Sequence, residues 1–136
     1  MTARARLSLT VDDEHRILLM RYLGAIEGDE INLSMMQQVS QLDRPWLYDS
    51  IIDMRRFDGA VLTSDIEELG LRWALLAQGR DKGRLTAVIS EDPLVRARQS
   101  LTQGAFPFRT LGYFENFDEG LEWIKAQGGR IDQAVA

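Results

Sequence analysis

The sequence predicts one α/β domain in which an N-terminal β-hairpin is followed by βα units. Three observations carry this prediction: alternating apolar and polar residues near the N-terminus, short apolar runs further on, and segments of helical periodicity between those runs. A length of 136 residues suits a single domain. Because strands that alternate with helices favour parallel pairing with right-handed crossovers, we predict a mixed, mainly parallel sheet of about five strands with four helices.

The first two predicted strands form a hairpin. Residues 7–11 alternate between apolar and polar side chains, which is the period of a half-exposed strand. Residues 17–23 are apolar apart from Arg21, as is typical of a central strand. The polar turn 12–15 is short, so the two strands are expected to pair antiparallel.

A helix and a third strand are predicted next. The helix is indicated by an apolar stripe at spacings of four, four and three residues, formed by Ile31, Met35, Val39 and Leu42. Pro45 ends it, because proline disfavours helical backbone in the residue before it. Residues 46–54 predict the third strand.

The second predicted helix begins with a capping box. Ser64 is placed to accept a backbone N–H as the N-cap, and Glu67 is placed to accept the N–H of the N-cap itself. The apolar stripe of this helix consists of Ile66, Leu69, Trp73, Leu76 and Ala77. Gly79 is placed to end the helix, and residues 85–89 predict a fourth strand.

The third predicted helix lies between the fourth and fifth strands. It begins at Asp92, an N-cap residue followed by Pro93 in the first helical position. Its inward-facing residues are expected to be Leu94, Ala97 and Leu101. Residues 109–114 predict the fifth strand.

The last predicted helix starts at Asn116 and ends at the glycine pair 128–129. Residues 128–136 are expected to fray as a C-terminal tail. The prediction is therefore a single domain over residues 1–136, with a structured core at about residues 5–127.

Composition and charge exclude several kinds of site. Lys and Arg total 16 against 21 Asp and Glu, so the net charge of −5 gives no overall field that attracts nucleic acid or an anionic membrane. The absence of cysteine removes disulfides, thiolate nucleophiles and cysteine-based zinc sites. His15 is the single histidine, so a multi-histidine metal site is excluded. We therefore predict no metal, no cofactor and no nucleic-acid partner.

Apolar segments long enough for a membrane or a secretion signal are not found in the sequence. The arginines Arg4 and Arg6 are not followed by the apolar core of a signal peptide. The longest apolar run, residues 17–20, is far too short to span a bilayer. We expect a cytoplasmic location without membrane insertion.

Polar residues cluster in the loops that follow the predicted parallel strands, where open α/β sheets usually meet their ligands. The residues expected to face a ligand or partner are Asp53, Arg55, Asp58, Ser90, Glu91 and Asp92. One interpretation of this edge is a hard-cation or catalytic-carboxylate site. The other is that these carboxylates favour the positive helix ends or are solvated turn residues.

Thr63 and Ser64 form the candidate regulatory site. As an N-cap, Ser64 has a purely structural role, and its removal would cost about 0.5–2 kcal/mol. As a phosphoacceptor, either residue would carry a phosphate at a helix N-terminus, where negative charge is tolerated.

Five aromatic residues could line a lipophilic pocket: Trp46, Trp73, Phe106, Phe108 and Trp123. Trp73 lies on the inward stripe of its helix, so core packing explains it. Trp123 falls beside the inward stripe of the last helix, so we expect it to be partly exposed and to contact a partner.

Three features together resemble the STAS-like domains, which include bacterial anti-sigma-factor antagonists and cytoplasmic domains of sulfate transporters. They are the order of the elements, the strand that ends at Asp53, and the run Leu62-Thr63-Ser64-Asp65-Ile66 at a helix start. The segment 117–124 is similar to the final helix of a divergent branch of mostly unknown function. The resemblance covers roughly residues 7–125.

The resemblance implies a non-enzymatic regulatory domain that binds a protein partner. In the antagonists a strand-end Asp is followed by a second Asp, then Ser, Ser or Thr, and Gly-Leu at the helix start. Asp53 matches the first Asp, but the second Asp and the Gly are absent here, so Thr63 and Ser64 remain as the only acceptors.

Two other functions stay open. Divergent STAS-like domains distantly resemble lipid carriers that hold apolar ligands between helix and sheet, which implies a carrier or sensor of a small apolar ligand. The third hypothesis is an enzyme that uses the strand-end carboxylates. An exposed apolar helix face could also form a homodimer.

Overall fold

The computed structural model describes residues 4–135, and their side chains through Gln127. Its strands are β1 (Arg6–Asp12), β2 (Ile17–Leu23), β3 (Asp49–Asp53), β4 (Leu85–Ile89) and β5 (Thr110–Phe114). Its helices are α1 (Gly28–Val39), α2 (Thr63–Ala77), α3 (Pro93–Ala97), α4 (Gln99–Ala105) and α5 (Phe117–Val135). The predicted mixed α/β fold is confirmed, with five helices where four were expected.

The five strands form one sheet in the order β1-β2-β3-β4-β5. The β1 and β2 strands pair antiparallel as the predicted hairpin, and each later strand pairs parallel with the one before it. All five residues of β4 are buried, as expected for a central parallel strand covered on both faces.

Helices cover both faces of the sheet. One apolar core lies between the sheet and the layer of α1 and α2, and it contains Leu18, Met20, Ile31, Met35 and Val39. A second core lies between the sheet and α5, and it contains Ile17, Ile51, Ala87, Ile89 and Ile124. Because side chains alternate along a strand, neighbouring residues such as Ile17 and Leu18 belong to different cores.

The start of α2 differs from the predicted capping box. The helix begins at Thr63, and Leu62 occupies the N-cap position. The carboxylate of Asp65 accepts the backbone N–H of Leu62 at 2.9 Å. Ser64 is therefore the second residue of the helix and not the N-cap, and Asp65 takes the role that the prediction gave to Glu67.

The third strand begins later than predicted. Residues 45–47 form one turn of 3-10 helix with Pro45 in its first position, so β3 starts at Asp49 and not at Trp46. Proline favours this position because its missing N–H is not needed there.

The segment predicted as one third helix is split at Arg98, which ends α3 and precedes α4. Asp92 is confirmed as the N-cap, since its side chain accepts the N–H of Leu94 at 2.9 Å. The predicted inward face is wrong at Leu94 and Ala97, which are exposed, while Leu101 is half-buried. Leu94 is 56% exposed, whereas Val95 and Arg98 are half-buried.

The final helix starts as predicted, because the Asn116 side chain accepts the backbone N–H groups of Asp118 and Glu119 at 2.8 and 3.3 Å. It does not end at the glycine pair 128–129 but continues to Val135. Fraying of residues 128–136 stays a prediction, and residue 136 lies outside the described residues, as do residues 1–3 of the predicted domain.

Candidate functional site

A cavity of about 140 Å³ lies between the sheet and the layer formed by α1, α2 and α4. Its wall is mainly apolar, and residues of the sheet and of all three helices contribute, among them Met20, Ile52, Val88, Met35, Leu69 and Thr102. Protein cores normally contain few voids larger than a water molecule. An engineered apolar cavity of about 150 Å³ in another protein stays dry and binds benzene or xenon.

Helices α2 and α4 approach each other closely at Gly70, which does not itself line the cavity. A Cβ atom placed on Gly70 would lie 2.5 Å from the carbonyl oxygen of Ala105, so any side chain here would push α2 and α4 apart. Gly70 therefore lets the two helices meet above the sheet, while larger side chains on α2, including Leu69 and Trp73, reach the cavity wall.

Arg98 brings a positive charge to the cavity wall. Its Nη1 atom donates to the carbonyl oxygen of Val61 at 2.6 Å, whereas its Nε atom is buried and has no hydrogen-bond partner. It forms no ion pair with a carboxylate anywhere in the part of the chain whose side chains are described. Because guanidinium stays protonated in proteins, this charge is permanent.

Tyr113 on β5 supplies the second unsatisfied polar group of the cavity. Its hydroxyl is buried without a hydrogen-bond partner. Burial raises the pKa of Tyr113, and the nearby Thr102 hydroxyl and Arg98 charge act in the opposite direction. Thr102 does not meet the geometry of a hydrogen bond to Tyr113 and donates to the Arg98 carbonyl oxygen at 3.1 Å. These three side chains form the polar corner of the cavity.

The break between α3 and α4 presents Arg98 and Thr102 to the cavity. Val95, Arg98 and Thr102 all line it, at spacings of three and four residues. Residues at this spacing lie on one face of a helix, and the spacing could have identified Val95, Arg98 and Thr102 as an inward face. Sequence reasoning missed Arg98 and Thr102 because it assigned the neighbouring stripe through Leu94 to the interior. It also did not single out Tyr113, which lies on β5.

A second charged group, Arg109, lines the cavity but is fully engaged. It is 6% exposed, and it donates to the Thr86 hydroxyl at 3.0 Å and to the Tyr48 carbonyl oxygen at 2.8 Å. Its Nη1 atom lies 3.6 Å from the carboxylate of Asp81, which also accepts the indole N–H of Trp73 at 2.7 Å. Burial lowers the pKa of Arg109, and the Asp81 charge opposes the shift. This network therefore holds the helix layer on the sheet.

Asp53 is the most buried residue of the predicted polar edge, at 5% exposure. Arg55 pairs with it through two side-chain hydrogen bonds of 2.9 and 2.8 Å, and Arg21 lies 3.5 Å away. Burial alone would raise the pKa of Asp53, but the hydrogen bonds and charge of Arg55, with the charge of Arg21, lower it. The Asp53 carboxylate therefore forms an ion pair with Arg55, and Arg21 lies close enough to be a second partner. The sequence analysis did not identify Arg21.

The other residues of the predicted edge stay near the surface. Asp58 and Glu91 are exposed. The half-buried Ser90 accepts the backbone N–H of Asp92 at 3.1 Å, and Asp92 caps α3. None of these residues, nor Asp53 or Arg55, lines the cavity. Their roles as ligand- or partner-facing residues stay predictions.

Thr63 and Ser64 are exposed at the N-terminal end of α2 and do not line the cavity. The outward face of the same helix carries two exposed leucines, Leu71 and Leu75, at 70% and 78% exposure. Because Ser64, Leu71 and Leu75 are spaced by seven and four residues, they lie on one face of the helix. Phosphorylation at Thr63 or Ser64 stays a prediction.

Two of the five aromatic residues considered for a lipophilic pocket line the cavity, namely Trp73 and Phe106. Trp46 lies outside it, under the guanidinium of Arg80 at 3.5 Å. Trp123 is half-buried on the opposite face of the sheet, where its ring centroid lies 5.4 Å from that of Phe114. Its contact with a partner stays a prediction.

The described residues contain no group of three or more histidine, aspartate or glutamate side chains that could hold a metal ion. Within that same part of the chain, every helix is too short or too polar to cross a bilayer. At the strand-end edge, the Asp53 and Asp92 carboxylates serve an ion pair and a helix cap.

No family model matches the sequence, and no curated protein matches it. Among solved structures, the chain matches the crystal structure of an uncharacterised protein of the DUF3478 family with a SpoIIAA-like fold, from Shewanella loihica PV-4. The match has a TM-score of 0.58 at 16% sequence identity and covers 91% of this chain and 96% of that chain. At this identity the likeness establishes the fold alone. The chain therefore has a SpoIIAA-like fold, as its resemblance to the STAS-like domains predicted.

Proposed function

We propose that this protein is a non-enzymatic binding domain whose ligand is a small apolar molecule held between the sheet and the helix layer. The observation that carries the proposal is the mainly apolar cavity of about 140 Å³. The apolar side chains around this space lack partner atoms on the side that faces it, so a ligand that fills it gains contacts that the protein alone lacks. Of the hypotheses drawn from the sequence, this geometry favours the carrier or sensor.

A methyl NMR titration with toluene tests the proposal. We expect saturable shifts of the Ile52 and Met35 methyl signals, because both side chains line the cavity. The Ile124 methyl signals serve as the internal control, since Ile124 is buried in the core on the other face of the sheet. Toluene that leaves the Ile52 and Met35 signals unmoved at its solubility limit would refute the proposal.

Native mass spectrometry of the protein isolated from its own host tests the same proposal without a chosen probe. A carrier is expected to show a non-covalent added mass that disappears under denaturing conditions. The same spectra report a homodimer, if one forms.

A second candidate function, regulation through a protein partner, is favoured by the outward face of α2. Leu71 and Leu75 are exposed there, in line with Ser64. Apolar side chains grouped on a surface often mark a site of protein contact. Under this hypothesis a phosphate on Thr63 or Ser64 would add charge beside the contact face and change the affinity for the partner.

Capture from a host lysate tests this second function. A partner bound through α2 should be lost with Leu75→Asp and kept with Leu33→Asp, since Leu33 is also exposed, at 52%, but lies on α1. Intact-mass analysis should locate any covalent phosphate at Thr63 or Ser64. Equal capture by both variants would contradict a contact through α2.

A further inference from the structure

The two unsatisfied polar atoms of the cavity point to the chemistry of its ligand. Within residues 4–127, Arg98 Nε and the Tyr113 hydroxyl oxygen are the buried side-chain atoms without a hydrogen-bond partner, and both residues line the cavity. Buried polar groups are nearly always paired, because leaving one unpaired is unfavourable. Two unpaired groups at the same cavity therefore indicate the place where a ligand supplies the missing acceptor.

The charge at this corner favours an anionic acceptor. Other arginines of the protein meet carboxylates: Arg55 lies 2.8 Å from Asp53, for example, and the buried Arg109 lies 3.6 Å from Asp81. Arg98 makes no such pair among the residues whose side chains are described. A guanidinium at a mainly apolar wall is favoured by an opposite charge close to it, and a bound anion would supply that charge.

The free edge of Arg98 suits a carboxylate in particular. Its one side-chain hydrogen bond to another described residue uses Nη1, with the Val61 carbonyl oxygen as acceptor. The Nε–Nη2 edge is left available, and a guanidinium edge matches the two oxygens of a carboxylate in a bidentate pair. Tyr113 adds a hydroxyl donor that stays protonated at neutral pH, because burial raises its pKa.

The size of the cavity limits the rest of the ligand. A volume of about 140 Å³ is close to that of the engineered cavity that binds benzene, so the apolar body should be about the size of one six-carbon ring. Other polar side chains of the wall already have hydrogen-bond partners within the protein, and they include Asn32, Ser50, Asp65, Thr86 and Arg109.

We propose that the cavity binds a small organic acid, with its apolar body among the sheet and helix side chains and its carboxylate on Arg98 Nε and the Tyr113 hydroxyl. This inference rests on the proposed binding function and names the class of ligand. It also gives a role to the break between α3 and α4, which is the place where Arg98 leaves the regular helix.

Calorimetric or NMR titration with sodium benzoate and with toluene separates the two proposals. The two probes share a ring and differ in the carboxylate. We expect benzoate to bind the wild-type protein at least about tenfold more tightly than toluene, which is the effect of one good charge-assisted contact. Arg98→Gln should remove this preference, and Tyr113→Phe should reduce it several-fold while toluene binding is retained.

Arg72→Gln is the matched control for the loss of charge. Arg72 is an exposed arginine of α2 that pairs with Glu68, and it does not line the cavity, so its replacement should leave benzoate binding unchanged. If Arg98→Gln fails to fold, Tyr113→Phe decides the question, because it removes one hydroxyl that has no partner.

The outcomes are distinct. A benzoate preference that Arg98→Gln removes, that Tyr113→Phe reduces and that Arg72→Gln leaves unchanged supports the inference. Toluene binding without a preference for benzoate overturns the inference and leaves the apolar-ligand function in place, as does a preference that survives in both Arg98→Gln and Tyr113→Phe. Binding of neither probe overturns the inference and the proposed function together.

Discussion

Because Val88 lines the cavity, we predict that the enlarging core substitution Val88→Ile stabilises the protein. Val88 is 7% exposed and lines the cavity from the centre of the sheet. One additional methylene that enters empty apolar space gains about 0.8 kcal/mol. Isoleucine keeps the β-branch, so the preference for a strand is unchanged. In a close-packed core the same enlargement would instead cost about 1–3 kcal/mol.

Urea denaturation measures this effect directly. With an m-value of about 1–3 kcal/mol per M, a gain of 0.8 kcal/mol raises the midpoint by about 0.3–0.8 M without changing m. The matched control is Ala87→Val in the same strand. Ala87 is fully buried on the face that packs against α5, where a Cβ atom placed on Gly120 would lie 3.4 Å from the Ala87 Cβ, so we expect this change to destabilise. A lower midpoint for Val88→Ile would refute the reasoning, because it would mean that the space beside Val88 is already filled.

Three further predictions concern the buried charges and the start of α2. Asp81→Ala removes the carboxylate from a buried arginine and should lower the free energy of unfolding by about 3–5 kcal/mol, whereas Asp58→Ala, at an exposed site, should change it by less than about 0.5 kcal/mol in the same urea assay. The pKa of Asp53 is lowered from its ordinary value of 3.8, so its ionised form stabilises the fold above the unfolded-state pKa, and this contribution is lost as the pH falls through the folded-state pKa. Asp53→Asn should therefore flatten the dependence of stability on pH below about pH 4, and an unchanged acid profile would contradict the ion pair. Ser64→Ala should change the thermal midpoint little, because Ser64 is not the N-cap. Asp65→Ala should lower the free energy of unfolding by about 1 kcal/mol, because it removes the acceptor of the Leu62 N–H. A larger loss of stability in Ser64→Ala than in Asp65→Ala would instead favour the capping box predicted from the sequence.

The start of α2 illustrates how far local sequence patterns reach. The run Thr63-Ser64-Asp65 contains three residue types that all favour a helix N-terminus, so the pattern located the helix correctly. It could not decide which residue caps, because that depends on where the chain leaves the preceding loop. In the structure the loop meets the helix at Leu62, which takes the N-cap position, and Asp65 accepts the backbone N–H of Leu62.

The stripe of Val95, Arg98 and Thr102 shows a different limit. Hydrophobic periodicity favours Leu94, Ala97 and Leu101 as the inward face, because those residues are apolar and arginine is usually exposed. In the structure Leu94 and Ala97 face outward, and Arg98 reaches the Val61 carbonyl oxygen at the cavity wall. The inward position of Arg98 is explained by the groups that surround its side chain, and those groups belong to other segments of the chain.

The order and type of the strands and helices follow from the sequence, because an alternation of two and a stripe of three and four residues are local consequences of strand and helix geometry. The pairing of the parallel strands follows nearly as directly, since short crossovers in an α/β chain leave few topologies. The cavity and its polar corner were decided only by the tertiary structure. A cavity is space that several segments leave unfilled, and its volume depends on how closely helices such as α2 and α4 approach at Gly70 and how far the side chains of β2, β3 and β4 reach. These distances depend on several segments at once, so no local sequence pattern predicts them. The acidic strand ends could therefore be recognised from the sequence, whereas the site around Arg98 and Tyr113 could not.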